Sequence, residues 1–326
     1  GQTINIDIGY APGGGYDMFA RLVGKHMPKH LPGSPQFVVR NLAGAGGERV
    51  FNSINKQQDP DGRTLGQLHP RFVKRELLGD DVENFDLANT IWVGTASAVQ
   101  ETKSYYTWKK TAMTWDEVIA KGKVMTDGAT APGDQAGVGP TFVQLSGGLI
   151  KMIYGYGGTA ELAAAFDRGE LDGTTRGNYT SAPRLFPQWI EDKSIVPLFR
   201  WGVEPEKDPG YMQHMANLDT VPPPHVFDIT KPTDGEKAVF NLTETINDNM
   251  ARTFFLNDKT PADLAKLWQE GFEALTKDPE FIKDVQVAGY NVGYGGPALI
   301  KEKIAQGQKA LEDPKLFKLF KELAGG

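Results

Sequence analysis

The chain has 326 residues, 40% of them hydrophobic and 23% charged, with 41 acidic against 35 basic side chains for a net charge of −6. That is longer than one hydrophobic core commonly serves, so two domains are expected, and a disordered chain is excluded. With no cysteine there is no disulfide framework, no thiolate nucleophile and no Cys-based zinc site, and the lack of a long basic run argues against nucleic acid as the main partner.

The chain begins "GQTINIDIGY", which already reads as a strand, with Ile4, Ile6 and Ile8 on one face and Asn5 and Asp7 on the other. No initiator Met precedes it, as expected of a mature form whose targeting segment has been removed. Zero cysteine also fits an oxidising compartment. No stretch approaches the roughly 20 apolar residues of a membrane span. The next stretch, "YAPGGGYDMFARL", turns through glycines into a helix that Asp17 can cap, with Met18, Phe19, Leu22 and Val23 as its apolar face. Pro28 and "LPGSP" should end that helix. "FVVR" is a second strand, and "NLAGAGGERVF" repeats the glycine turn into a helix. "DPDG" marks a turn, and residues 64–68 a third strand. Strand–helix–strand–helix–strand in so short a span predicts a parallel α/β sheet.

"IWVGTASAV" reads as a fourth strand. In "TWDEVIAKG", Thr114 and Glu117 form a capping box and Gly122 the stop. "KVMTDGA" is a strand leading into "TAPGDQAGVGPTFVQLSGGLI", a third glycine-rich loop. "YGYGGTAELAAAFDRGELDG" is a fourth, with Thr159 as the expected cap of its helix. Residues 195–201 form a strand, and 204–234, rich in Pro and Asp, an irregular excursion. "FNLTETINDNM" is helical and "ARTFFL" a strand. Helices open at Thr260–Pro261 and Asp278–Pro279, and one more is expected over residues 298–323.

A glycine turn that opens a helix presents unpaired N–H groups at the positive end of the helix dipole, so neighbouring turns of this kind can converge on one anion. The nucleotide fingerprints fail: Arg49 stands where "GAGGER" needs a third glycine, and there is no P-loop. His26 and His30 have the i,i+4 spacing of metal ligands, but Pro28 lies between them and no acid is near in sequence, so a solvated helix end is expected. His69, His214 and His225 stand alone, and Ser146 lacks the base a nucleophile needs. The glycines themselves admit a plain reading as ordinary turns that need positive φ.

The ordered set "YAPGGGYDMFARLVGKHM", "VVRNLAGAGGERVFNSINKQQDPDGRTLGQL", "APGDQAGVGPTFVQL" and "YGYGGTAELAAAFDRGELDG" resembles the successive motifs of the solute-binding receptors of tripartite tricarboxylate transporters, the Bug receptors. The resemblance covers residues 3–173, resumes at "FFLNDKTPADLAKLW" and "LTKDPEF", and is loose over 204–249. The sequence departs from the family pattern in two places. Pro140, Thr141 and Phe142 follow the third loop where small hydroxyl residues are usual, and Arg176 stands about where many members carry an acid.

The resemblance implies an α/β, two-lobed, type II periplasmic binding protein-like fold with a ligand cleft between the lobes. Lobe one is expected at residues 1–100 plus 252–326, and lobe two at 101–251. The implied function is periplasmic capture of a small carboxylate, an aliphatic dicarboxylate or an aromatic acid, for delivery to the membrane subunits of such a transporter. The chain would be monomeric, non-enzymatic, and without cofactor or metal. An enzyme or sensor of related fold that acts on or detects a small organic acid remains the alternative.

The first wall of the site would use Tyr10, Pro12, Gly14, Gly15, Tyr16 and Asp17 from one turn, with Asn41, Gly44, Ala45 and Gly46 from the next. The second wall would use Pro132, Gly133, Gly137, Gly139 and Thr141, then Tyr156, Gly157 and Gly158, and Arg176. Arg176 offers a bidentate fork for a carboxylate, or else forms a surface ion pair. Tyr10, Tyr16, Phe142, Tyr154, Tyr156 and Tyr179 either enclose the ligand body or pack at the lobe surfaces.

Overall fold

The computed structural model describes residues 3–56, 60–131, 145–175, 180 and 182–324. The chain divides into two compact units. The first is residues 1–99, 242–287 and 291–325; the second is 100–241 with 288–290 and the last residue.

The first unit is built on a five-stranded sheet. β1 (Thr3–Ile8) lies parallel between β2 (Gln36–Asn41) and β3 (Thr64–Leu68), and the order continues through β10 (Thr253–Leu256) to β4 (Ile91–Gly94). β10 runs antiparallel to both of its neighbours. The alternation in β1 does its work: Ile4, Ile6 and Ile8 are buried. α1 (Gly15–His26) buries Phe19, Ala20 and Val23, and each large apolar side chain removed from water adds about 1.5–3 kcal/mol. Behind α2 (Arg49–Asn55) and α3 (Pro70–Leu77), the Phe51 ring meets Phe72 at 4.7 Å and Phe85 at 4.6 Å between centroids. The helix Ala262–Thr276 packs on β4 and is tied to the Asp61–Gly62 turn by Trp268, whose indole N–H donates to the Gly62 carbonyl at 2.8 Å.

The second unit carries an antiparallel sheet, β8 (Gly173–Thr174), β5 (Thr102–Trp108) and β9 (Ile195–Gly202), and a parallel pair, β6 (Met125–Ala129) with β7 (Ile150–Tyr154). Its core is aromatic: Tyr105 stacks on Phe199 at 5.1 Å, and Trp108 stacks on Phe166 at 4.6 Å. α4 (Trp115–Lys121) has the expected ends. The Thr114 hydroxyl accepts from the Glu117 N–H, and Gly122 closes the helix in the left-handed region at φ 58°.

Four details differ from the sequence reading. α5 (Thr159–Asp167) is preceded by Gly158 at its cap, so Thr159 is its first residue. The Pro- and Asp-rich region is not irregular throughout: it holds the helices Pro209–Asn217 and Val226–Thr230, capped by Asp208 and His225 through their side chains. The last helical segment is two helices, Pro297–Ala310 and Pro314–Ala324, because Pro314 has no N–H to continue the first. His26 and His30 are not a solvated end. His26 pairs with Asp284 at 2.8 Å and His30 with Asp278 at 2.9 Å, both acids coming from the start or body of the helix Pro279–Val287.

Candidate functional site

Both glycine turns lie at the carboxyl ends of neighbouring parallel strands, the usual place for ligands in open α/β sheets. They also touch each other. A Cβ built on Gly9, at the end of β1, would lie 2.4 Å from the Gly47 Cα, so the first turn leaves its strand in backbone contact with the second. This is one physical reason for glycine at position 9. Within the turns the reason is conformational: Gly13, Gly44 and Gly47 have φ of 86°, 115° and 100°. Gly14 is extended at φ −80°, so it carries no such requirement, while Ala45 sits in the left-handed region at φ 48°.

Asp17 ties the first turn together. Its carboxylate accepts from the Gly13 N–H at 2.9 Å, from Asn41 Nδ2 at 3.0 Å and from Arg21 Nε at 3.1 Å. Asn41 also donates to the Tyr10 carbonyl at 2.9 Å, and Arg21 Nη2 donates to Asn41 Oδ1 at 3.3 Å. One buried acid thus links both turns across β1 and β2. Burial works to raise its pKa, but the hydrogen bonds from Arg21, Gly13 and Asn41 outweigh that and leave it below the ordinary Asp value. Asp17 is not the cap expected from the sequence: Gly14 holds that position, Asp17 lies in the first turn of α1, and among the described residues no side chain caps the helix.

The second turn is a short 3-10 stretch, Ala45–Gly47, leading into α2. It is held from α3. Arg71 Nη2 donates to the Ala45 carbonyl at 3.4 Å, and Glu48 is ion-paired with Arg75 and lies 3.7 Å from Arg71. Arg49 Nη1 donates to the Ala43 carbonyl at 3.0 Å. Arg71 and Arg75 did not stand out in the sequence, though they share a helix face by their i,i+4 spacing.

Beside the turns three rings cluster: Tyr10 and Tyr16 at 4.9 Å, Tyr16 and His69 at 5.3 Å, and Tyr10 and His69 at 5.8 Å. His69 is no lone histidine: its Nδ1 accepts from the Arg71 N–H and caps α3. The Arg252 guanidinium lies over Tyr16 at 5.8 Å and donates to Ser97 Oγ at 3.3 Å. Tyr10 and His69 are buried and Tyr16 is half-buried, so the cluster presents a small aromatic edge beside the turns.

Of the second-unit residues read from sequence, Tyr156 is partly buried against the Leu162–Phe166 core, where burial and the Glu170 carboxylate raise its pKa. The Gly157 N–H donates to Glu161 Oε2 at 2.6 Å. Tyr154 is largely exposed. Pro132, Gly133, Gly137, Gly139, Thr141 and Arg176, with Phe142 and Tyr179, lie outside the described residues.

A cavity of about 210 Å³ in the first unit does not coincide with the glycine turns. It lies at the amino-terminal edge of the sheet, where Asp86 and Asp258 face one Lys259, a balance that disfavours an anion. Among the described residues no group of three or more His, Cys, Asp and Glu could hold a metal, and no helix is long and apolar enough to cross a membrane.

No family model and no curated protein matches the sequence. Solved structures do. The periplasmic binding protein BugD matches at a TM-score of 0.70 with 17% identity, over 99% of this chain and 98% of that one. Rpa4515 of R. palustris, solved with adipate, matches at 0.69 with 16% identity over 99% and 97%. MatC (Rpa3494) of Rhodopseudomonas palustris, solved with bound malate, matches at 0.64 with 14% identity over 94% and 98%. The chain therefore has the two-lobed α/β fold of periplasmic binding proteins, with its two glycine turns at the carboxyl ends of β1 and β2.

Proposed function

We propose that the chain is the solute-binding receptor of a tripartite tricarboxylate-type transporter, a periplasmic protein that captures a small carboxylate and passes it to the transporter's membrane subunits. The ligand is an aliphatic dicarboxylate or an aromatic acid. The observation that carries this reading is the pair of glycine turns locked together by Asp17 and Asn41 at the carboxyl ends of β1 and β2. Their backbone N–H groups take one end of the acid, in part through water, and Tyr10 and Tyr16 lie along its body. The solved structures with adipate and with malate support the choice of ligand class. Arg176 and the loops around 132–141 and 156–158 are assigned to the second lobe's share of the contacts. A receptor of this kind needs no catalytic group, cofactor or metal, and works as a monomer.

A thermal-shift panel of aliphatic and aromatic acids, with the matching amides as controls, tests the reading. An acid at 100-fold above its Kd should stabilise the protein by about 2.7 kcal/mol. Equal stabilisation by the amides would remove the carboxylate from the account.

A further inference from the structure

We infer that Arg71 sets the charge preference of this site: from beneath the second glycine turn it makes the turn select a carboxylate over a neutral amide of the same shape. The inference rests on the proposed ligand class and adds to it a residue that resemblance to no motif singles out. Arg71 is only 6% exposed. It enters the protein on the first turn of α3, immediately after the His69 cap and Pro70. Its Cζ lies 4.3 Å from the Phe72 ring centre, and that ring in turn abuts Gly47. Nη2 reaches the Ala45 carbonyl, and Nε is buried with no hydrogen-bond partner among the described residues.

The charge around this turn does not balance. Glu48 is shared by Arg71 and Arg75, and Arg75 has a second acid, Asp80, at 3.6 Å. Arg49, against Gly44, contacts a neutral carbonyl. Among the described residues, three guanidinium groups therefore face two carboxylates. A cation withdrawn from water keeps its field over longer distances than one at the surface, and a guanidinium stays charged at every pH the protein meets. Placing one under a turn whose N–H groups already point to an anion favours the charged form of the ligand specifically. A role limited to holding the Ala45 carbonyl would favour acid and amide alike.

The test is calorimetry with adipate and malate against adipamide and malamide, on the full chain and three variants. Arg71→Met keeps the volume and removes the charge, and Glu48 stays paired with Arg75. It should lower acid affinity by about tenfold while leaving amide affinity within about threefold. Arg71→Lys should hold the wild-type acid-to-amide ratio within about threefold. Glu48→Gln removes a compensating negative charge and should raise that ratio, a change of opposite sign that needs no change at Arg71. A wild-type ratio in Arg71→Met, or a parallel loss of acid and amide binding, overturns the inference; so does a lowered ratio in Glu48→Gln. If the wild-type protein binds none of these acids, the proposed function itself fails, and the two failures are distinguished by that first titration.

Discussion

Replacing Asp17 with Ala removes one carboxylate and leaves three donors without it. The Gly13 N–H and Asn41 Nδ2 are the donors that matter most, because they meet the carboxylate where it is almost fully buried. Hydrogen bonds to a charged group contribute roughly 1.5–3 kcal/mol each. Asn41 keeps its bond to the Tyr10 carbonyl, which softens its loss. The Arg21 pair is half exposed at the guanidinium end and contributes under about 1 kcal/mol. Together these give a loss of about 3 kcal/mol for Asp17→Ala and about half that for Asp17→Asn, which keeps one acceptor oxygen. Urea unfolding, read from the shift in midpoint at constant slope, measures it. Carboxylate affinity should fall in the same order, because the turn that presents its N–H groups has lost its brace. A loss under about 0.5 kcal/mol, within what an ordinary surface substitution does, would refute the bracing role. So would unchanged stability with abolished binding.

Three further outcomes are expected. Gly9→Ala drives a methyl into the Gly47 backbone and should cost about 1–3 kcal/mol together with ligand affinity, checked by the same unfolding and a titration with malate. Asp278 is also held well below the ordinary carboxylate range: burial opposes this, but Lys29, His30 and the Glu280 N–H outweigh it. A depressed carboxylate pKa contributes stability above the unfolded value of about 3.9 and loses it as pH falls through the folded value, so unfolding midpoints should drop below about pH 4, and Asp278→Asn should flatten that drop. Gln67 is buried and, among the described residues, neither amide atom has a hydrogen-bond partner, so Gln67→Met should raise the melting temperature, by an amount equivalent to about 1 kcal/mol, as differential scanning calorimetry would show.

What the sequence disclosed was local. The isoleucine alternation of β1, the α4 capping box and the Gly-to-helix turns are patterns of a few residues, each tied to one backbone geometry, and each is present in the structure. Asp17 was legible as a residue that mattered, by its place after the glycines; that its oxygens are engaged by Gly13, Asn41 and Arg21 was not, since Asn41 comes from the next strand. The arginines under the second turn escaped notice because their partners lie some two to three dozen positions away, at Ala45 and Glu48. His26 and His30 were misjudged for the same reason: their acids are about 250 residues further along the chain. The helices near residues 209 and 226 were missed although Asp208–Pro209 is a cap followed by a first-turn proline; the surrounding Pro and Asp content outweighed that signal.

The most direct measurement of the central claim is a calorimetric titration of the wild-type protein with adipate and malate, followed by mass spectrometry of the acid recovered from the cell. A receptor gives a saturable isotherm near one acid per chain and returns the acid unchanged. No heat of binding across the acid series, or recovery of a converted product, would contradict the account.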